Sequence, residues 1–345
     1  MRLTKKQILR IILAIGTPVS LFYVPWILVW AWILPLPDTI EAQLEEAIDH
    51  RFEGMVVYVD QTGEAPGFYA AGWHDREKGI SADPHALFKI ASISKLYDAV
   101  AITKLVSEGR LSLDKTVADY LPELEGRIEN ADQITLRLMI QHRSGMPNFT
   151  NAPNYWSAPP ASYEENLALI LDIPANFKPG EDYEYCNTNY LLLNKIMDQE
   201  LGYDNFQFIQ EEILIPLNLK NTFSSLSEVN LDRVMSGYHL GHPYDLKSDE
   251  RGMLATAEDV GIFLRALNDG SLFEGEEKKI YSSIYEYEHG GWVPGYQSFA
   301  NYHEEIDAVM IQFYSTTDPK LYLWNVSEII NNRLMKILRK NNHEP

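Results

Sequence analysis

Hydrophobic and polar positions repeat with two different periods along the chain, and these periods predict its elements. The segments with a period of two, typical of β-strands, are 54–60, 67–73, 296–302 and 308–315. The segments with a helical period are 38–50, 92–108, 136–141, 163–172, 189–200, 256–268 and a long stretch that follows Asp318-Pro319. Strands at both ends and helices between them predict an α+β fold.

This α+β fold is expected to be an α/β sandwich. Its antiparallel sheet would come from the N- and C-terminal parts of the chain and would be flanked by helices. We predict that residues 38–125 and 246–345 form this α/β part and that 126–245 are an inserted, mainly helical domain. No internal repeat interrupts this organisation.

The first 37 residues follow a different pattern. No charged residue occurs between Ile11 and Leu34, and a helix over this run would be about 36 Å long, against a hydrocarbon core of about 30 Å. We therefore predict that 1–37 form a cytoplasmic tip and one transmembrane helix. The alternative is a cleaved signal peptide, but the run is long for that and lacks an A-x-A site.

Charge sets the expected topology and excludes one class of partner. Arg2, Lys5, Lys6 and Arg10 precede the apolar run without any acidic residue, which predicts a cytoplasmic N-terminus and an extracytoplasmic domain, periplasmic or at the cell surface. The whole chain has a net charge of −20, so a nucleic-acid partner is not expected. The single cysteine, Cys186, excludes an internal disulfide.

The first candidate chemistry is Ser92-Ile-Ser-Lys95, at the start of a predicted helix. Residues three apart share one face of a helix, so Ser92 and Lys95 can meet there. A lysine held this way is one of the few groups that can activate a serine as a nucleophile. Alone, the tetrad is also compatible with a serine helix cap followed by a solvated lysine.

Two further motifs accompany this tetrad in order. Tyr185-Cys-Asn187 precedes a predicted helix, and His289-Gly290-Gly291-Trp292 precedes a predicted strand. With these three motifs the chain, over roughly residues 45–340, resembles the serine β-lactamase and penicillin-binding-protein superfamily. Its nearest likeness there is the class C-related branch, which includes D-Ala-D-Ala peptidases, D-aminopeptidases and esterases.

The resemblance implies a role for each motif residue. Ser92 would be the nucleophile, with Lys95 and Tyr185 sharing the acid–base work; which of them takes the serine proton stays open. Asn187 would orient Lys95 and bind the substrate amide. The N–H groups of Ser92 and Trp292 would form an oxyanion hole.

The third motif departs from the family pattern. Gly290 and Gly291 would let the substrate lie along the strand, but His289 replaces the usual lysine and would be largely neutral near pH 7. A neutral group places strong β-lactam turnover in doubt. Cys186 would be a buried filler rather than a second nucleophile, and His239 and His242 a surface pair rather than metal ligands.

The sequence thus predicts a membrane-anchored serine hydrolase with no cofactor and no metal. It would act on a small peptide, amide or ester, including cell-wall D-amino-acid peptides. The alternatives are a β-lactamase that hydrolyses β-lactam antibiotics, and a non-catalytic cell-wall peptide-binding or sensor protein. Neither the physiological substrate nor the oligomeric state follows from the sequence.

Overall fold

The computed structural model describes residues 4–249 and 252–341. The α-helices are α1 (Lys5–Phe22), α2 (Trp26–Ile33), α3 (Ile40–Asp49), α4 (Ser94–Ser107), α5 (Val117–Tyr120), α6 (Leu136–Ile140), α7 (Tyr163–Ala168), α8 (Asn187–Leu201), α9 (Asn205–Ile209), α10 (Ala257–Asp269), α11 (Glu277–Ser282) and α12 (Tyr322–Asn341). The β-strands are β1 (Gly54–Gln61), β2 (Gly67–Asp75), β3 (Ile80–Ser81), β4 (Phe88–Lys89), β5 (Thr222–Phe223), β6 (Tyr238–His239), β7 (Leu254–Ala255), β8 (His289–Val293), β9 (Tyr296–His303), β10 (Ala308–Tyr314) and β11 (Thr316–Thr317).

The main sheet joins the two ends of the chain. Its six strands run in the order β3-β2-β1-β10-β9-β8, and all neighbouring pairs are antiparallel. The first strand, β1, pairs with the late strand β10 from Met55 opposite Tyr314 to Gln61 opposite Ala308. The expected antiparallel sheet from the N- and C-terminal parts is therefore confirmed.

Side chains on β1 divide between two hydrophobic cores. Met55 and Val57 pack with α3 and α12 on one face of the sheet, whereas Val56 and Tyr58 pack with α4, α8 and α10 on the other. Successive side chains of a strand point to opposite faces, so a nearly continuous apolar strand fits a sheet covered on both sides. The core that contains Val56 and Tyr58 continues without a break into the helices of 126–245. The exact limits of that helical part stay a prediction.

The N-terminal segment, predicted as one transmembrane helix, consists of two helices. The apolar run is divided into α1 and α2, with a break before Trp26 and an angle of 81° between Leu13–Phe22 and Trp26–Ile33. Among the described residues no single helix has the length and apolar character to cross a membrane, although this bent pair passes that test jointly. Pro25, at the N-cap of α2, supplies no N–H and fixes its own φ, which explains the break. Arg2 lies outside the described residues.

The end of α2 is fixed to the body by Arg333 of α12. This buried guanidinium donates to the carbonyl oxygens of Leu34 and Pro35 at 2.7 and 2.8 Å, to Gln43 Oε1 at 2.6 Å and to Glu46 Oε1 at 2.9 Å. Ala31 of α2 is also buried in the core formed with α12. The segment that precedes α3 is thus docked on the sandwich.

Candidate active site

Ser92 lies in a tight 3₁₀ turn, Ala91–Ile93, directly before α4. The preceding Ala91 has a φ of +50°, a left-handed conformation that alanine rarely adopts. Such backbone strain persists only where the surrounding structure enforces it, and it is concentrated at functional sites. Here it turns the chain from β4 into α4 with Ser92 at the corner.

Lys95 and Tyr185 both contact the Ser92 hydroxyl. Lys95 Nζ donates to Ser92 Oγ at 3.0 Å, and the Tyr185 hydroxyl donates to the same oxygen at 2.8 Å. Lys95 Nζ also lies 5.3 Å from the centre of the Tyr185 ring. The first two sequence motifs therefore meet at one oxygen atom, at distances suitable for proton transfer. Both groups reach the serine proton, so the choice of base stays open.

His142 holds Tyr185 in place without touching Ser92. The His142 and Tyr185 rings stack with centres 4.4 Å apart, and His142 Nδ1 accepts the N–H of Cys186 at 3.1 Å. Burial, reinforced by the positive charge of Lys95, lowers the pKa of His142 to about 3. The imidazole is therefore neutral and acts as a support for Tyr185. The Cys186 thiol is buried, it donates to Met146 O at 3.4 Å, and burial raises its pKa.

Asn187 begins α8 and lines the cavity in front of Ser92. Its side-chain Nδ2 donates to Thr150 Oγ1 at 3.1 Å, and its backbone N–H donates to Asn148 Oδ1 at 3.2 Å. Within residues 4–249 and 252–341, Asn187 makes no hydrogen bond to Lys95. The expected orientation of Lys95 by Asn187 is therefore not seen, and binding of a substrate amide stays a prediction.

The third motif lies on β8, the edge strand of the sheet beside the Ser92 turn. A Cβ on Gly291 would lie 2.5 Å from the carbonyl oxygen of Ile90, so only glycine lets β8 approach this turn. A Cβ on Gly290 would lie 2.8 Å from the Trp324 ring. Gly290 lines the cavity, whereas Gly291 faces the packed side of the strand.

His289 is held as a neutral base at the start of β8. Burial, followed by the charge of Lys95, lowers its pKa to about 4. Its Nδ1 lies 2.5 Å from the carbonyl oxygen of Gly290, and a neutral ring that donates there leaves Nε2 as an acceptor. The position that often holds a fixed lysine cation in the family is therefore uncharged.

These groups face one cavity of about 920 Å³. The predicted residues that line it are Ser92, Lys95, Tyr185, Asn187, His289, Gly290 and Trp292. One wall is aromatic: the rings of Trp156 and Trp292 meet edge to face at 5.4 Å, and Trp324 lies nearby along the lining. The cavity thus combines a polar reactive end with an apolar wall, as small-molecule sites commonly do.

Several lining residues were missed by sequence reasoning, and three of them lie on the two helices beside the motifs. Asp98 follows Lys95 on α4, and Tyr190 and Asn194 follow Asn187 on α8. The available signal was helical spacing, because Asp98 is three residues beyond Lys95 and Asn194 is seven beyond Asn187.

The described residues contain no group of three His, Cys, Asp or Glu side chains that could hold a metal ion. His239 and His242 form a ring pair 5.1 Å apart, and His239 Nδ1 lies 2.7 Å from Thr317 Oγ1. A metal-free site stays a prediction.

Comparison with known proteins defines the class of this molecule. Residues 37–283 match the family model described as Beta-lactamase. This match covers more than half of the chain, so the protein belongs to the beta-lactamase family.

Curated relatives match only in part. Protein flp of Staphylococcus aureus (strain MW2) is 26% identical over 59% of this chain and 42% of its own length. Penicillin-binding protein 4* of Bacillus subtilis (strain 168) is 22% identical over 78% of this chain and 58% of its own length. The chain thus spans about half the length of the curated relatives it matches.

Solved structures show the same fold. The D-amino acid amidase from Ochrobactrum anthropi SV3, complexed with D-phenylalanine, superposes with a TM-score of 0.77 and 22% identity. The superposition covers 88% of this chain and 98% of the amidase. At this identity the likeness establishes the fold alone.

Proposed function

We propose that the protein is a serine hydrolase that cleaves an amide, ester or small peptide through an acyl-enzyme on Ser92. One observation carries the proposal: Ser92 Oγ lies 3.0 Å from Lys95 Nζ and 2.8 Å from the Tyr185 hydroxyl, at the base of a cavity. A protein that only binds peptides would not need two proton-transfer groups on one serine.

In the proposed acylation step, Ser92 Oγ attacks the substrate carbonyl carbon while its proton passes to Lys95 or Tyr185. The bond to the leaving amine or alcohol then breaks, and the leaving atom takes a proton from the same pair. Water repeats the sequence on the acyl-enzyme and releases the acid. The carbonyl oxygen, which is negative in each tetrahedral intermediate, would accept hydrogen bonds from the backbone N–H groups of Ser92 and Trp292.

The substrate is proposed to be a small amide or peptide, with cell-wall D-amino-acid peptides as one class. Support comes from the neutral His289, which supplies no fixed cation for the carboxylate of a β-lactam. Further support comes from the amidase of similar fold, whose solved complex contains D-phenylalanine. The wall of Trp156 and Trp292 offers an apolar surface for a side chain of that kind.

Active-site labelling tests this function. The full chain is incubated with a fluorophosphonate probe and separately with labelled penicillin, and the adduct is located by mass spectrometry. We expect a fluorophosphonate adduct on Ser92 that is lost in Ser92→Ala and kept in Ser107→Ala, which changes an exposed serine at the end of α4. Rapid turnover of penicillin would instead favour the β-lactamase alternative. Equal labelling of Ser92→Ala would refute the nucleophile.

We also propose that residues 1–37 anchor the hydrolase in a membrane, with the N-terminus in the cytoplasm and the hydrolase outside. Support comes from the exposed apolar side chains of α1 and α2, such as Phe22 at 85% and Trp32 at 76% exposed. Trp26, Trp30 and Trp32 suit a membrane–water interface. The Arg333 contacts would keep the hydrolase close to that interface.

Protease added to intact cells tests this topology. We expect digestion of the hydrolase domain outside the membrane and protection of the cytoplasmic N-terminus. A domain that is digested only after the cells are lysed would contradict the proposed orientation.

A further inference from the structure

Beyond Lys95, the cavity continues along the groove between α4 and α8. Asp98 lies there on α4, one turn after Lys95, and Asn194 lies on α8, one turn after Tyr190. None of these deeper residues belongs to the three catalytic motifs. The groove therefore holds polar groups that the proposed acylation does not use.

Asp98 is a buried carboxyl group without a hydrogen-bond donor. Its exposed fraction is 5%, it lines the cavity, and none of the described residues donates a hydrogen bond to it. The opposite charge that acts on it comes from Lys95, which already donates to Ser92 Oγ. A buried carboxylate is costly unless it is paired, so this group is incomplete as it stands.

Other polar atoms around this groove favour a cation over an anion. Asn194 Oδ1 is buried and accepts no hydrogen bond from the described residues. The hydroxyls of Tyr190 and Tyr285 face each other near Asp98 and have no other partner there. Carboxylate, amide and hydroxyl oxygens all accept hydrogen bonds, whereas an ammonium group has three N–H donors and no acceptor.

The position of Asp98 limits where the cation sits on the substrate. Two residues of 3₁₀ turn and four of α-helix separate Ser92 from Asp98, which puts the Asp98 Cα about 10 Å beyond the Ser92 Cα along the chain direction. An α-amino group, two bonds from the scissile carbonyl carbon, falls short of this distance. An extended carbon chain advances about 1.25 Å per bond, so about six bonds followed by a hydrogen bond of about 2.8 Å cover it, as in a lysine-type side chain or an ω-amino acyl group.

We propose that Asp98 and Asn194 form a subsite for a primary ammonium group carried several bonds from the carbonyl that Ser92 attacks. The inference rests on the proposed function and narrows its substrate class to amides or peptides with a long-chain amine. Asp98 supplies the charge, and Asn194 Oδ1 supplies a further acceptor. Bound ammonium would give the carboxylate the hydrogen bonds that it lacks in the free protein.

Binding to the full-length Ser92→Ala protein tests the subsite without turnover. Isothermal titration calorimetry compares the amide of 6-aminohexanoic acid with hexanamide, which lacks only the amine. We expect the amino compound to bind at least about tenfold more tightly, as one charge-assisted contact implies. Adding Asp98→Asn should bring this ratio close to one, and adding Asn194→Leu should lower it by a smaller factor.

A charge-matched control is available on the same helix. Glu108→Gln, added to the Ser92→Ala protein, removes one carboxylate at the exposed end of α4. It should leave the ratio of the two affinities unchanged. Circular dichroism checks that each variant folds; if Asp98→Asn does not fold, Asn194→Leu decides. Equal binding of the two compounds, or a ratio that survives both substitutions, overturns the subsite. An equal loss of affinity for both compounds in Asp98→Asn also overturns it, because Asp98 would then act through Lys95.

Failure of the subsite and failure of the proposed function are distinguishable. A Ser92 adduct without any amine preference would leave the hydrolase standing and reject the subsite. An amine preference without a Ser92 adduct would keep the subsite and reject the catalytic proposal.

Discussion

The groove between α4 and α8 and the N-terminal helix pair depart from normal burial in opposite directions. In the groove, Lys95 and Asp98 are nearly inaccessible to solvent although both carry ionisable groups. In α1 and α2, aromatic side chains such as Phe22 and Trp32 face outward. Buried ionisable groups and exposed apolar surface are each unfavourable in an isolated soluble domain. Both departures agree with the proposals that a polar ligand binds in the groove and that an apolar membrane surrounds the helix pair.

Removing the phenolic oxygen of Tyr185 should produce the largest effect. Tyr185→Phe keeps the ring stacked on His142 but removes the 2.8 Å contact to Ser92 Oγ. We expect kcat/KM for a p-nitrophenyl ester to fall by about 10²- to 10⁴-fold, the usual contribution of acid–base catalysis. The control is Tyr183→Phe, which changes an exposed tyrosine near the same histidine. Its kcat/KM should stay within about twofold of the original value. Comparable losses in both variants would remove Tyr185 from the mechanism.

Breaking the Arg333 contacts should loosen the N-terminal helix pair from the sandwich. Arg333→Met leaves Glu46 and the carbonyls of Leu34 and Pro35 without their donor, so we expect a loss of about 3 kcal/mol in the free energy of unfolding. Denaturant titration measures it, and hydrogen exchange should show faster opening of α2. Arg339→Met changes another arginine of α12 and breaks its exposed ion pair with Glu305, which should cost less than about 1 kcal/mol. Equal losses would show that the Arg333 contacts have no special role.

Acidity should weaken the amine preference of the groove. Burial raises the pKa of Asp98 to about 7 against the opposing effect of Lys95, so the carboxylate is mostly charged at pH 8 and mostly neutral at pH 6. Ammonium binding needs the charged form, and affinity should therefore rise about tenfold from pH 6 to pH 8 and then level off.

The other titratable groups near Asp98 and Lys95 should not produce this profile. Burial keeps the pKa of Tyr190 and Tyr285 far above this range, and the pKa of His142 and His289 lies below it. Calorimetry at a series of pH values measures the effect. Because Asp98→Asn has no carboxylate to titrate, a slope that persists in it would assign the titration to another group.

The smallest effect is expected at α2, the helix that we propose contacts the membrane. Trp32→Ala should weaken binding of the full chain to phospholipid vesicles about fivefold, because one ring leaves the apolar interface. Co-sedimentation with vesicles measures the partition. Trp73→Ala, which changes an exposed tryptophan on β2, is the matched control and should bind like the original chain. Identical partition of all three proteins would argue against α2 as a membrane contact.

Much of the sheet and the reactive centre could be predicted from sequence because both depend on local patterns. The alternating segments at 54–60 and 308–315 correspond to β1 and β10, and the three motifs meet at one cavity. The strained φ of Ala91 carries no such signal, because alanine does not reveal the conformation that its neighbours impose.

Long-range contacts explain what the sequence could not predict. Arg333 reaches Gln43 across 290 residues, and no periodicity links the two. Asp98 has the helical spacing of a cavity residue, but its lack of a donor depends on how α4 and α8 pack together. Pro25 was visible in the apolar run, yet prolines also occur within membrane helices, so the break between α1 and α2 did not follow from it.

The pairing of β1 with β10 also constrains how the protein is made. During synthesis β1 emerges early, but the strand that completes its pairing lies more than two hundred residues later. Closing so long a loop is entropically costly and slow, so the sandwich cannot close until synthesis is nearly complete. An elongating chain would expose β1 and its apolar side chains to aggregation throughout that interval. Truncation before Ala308 should accordingly yield an insoluble product, even with the serine, lysine and tyrosine all present.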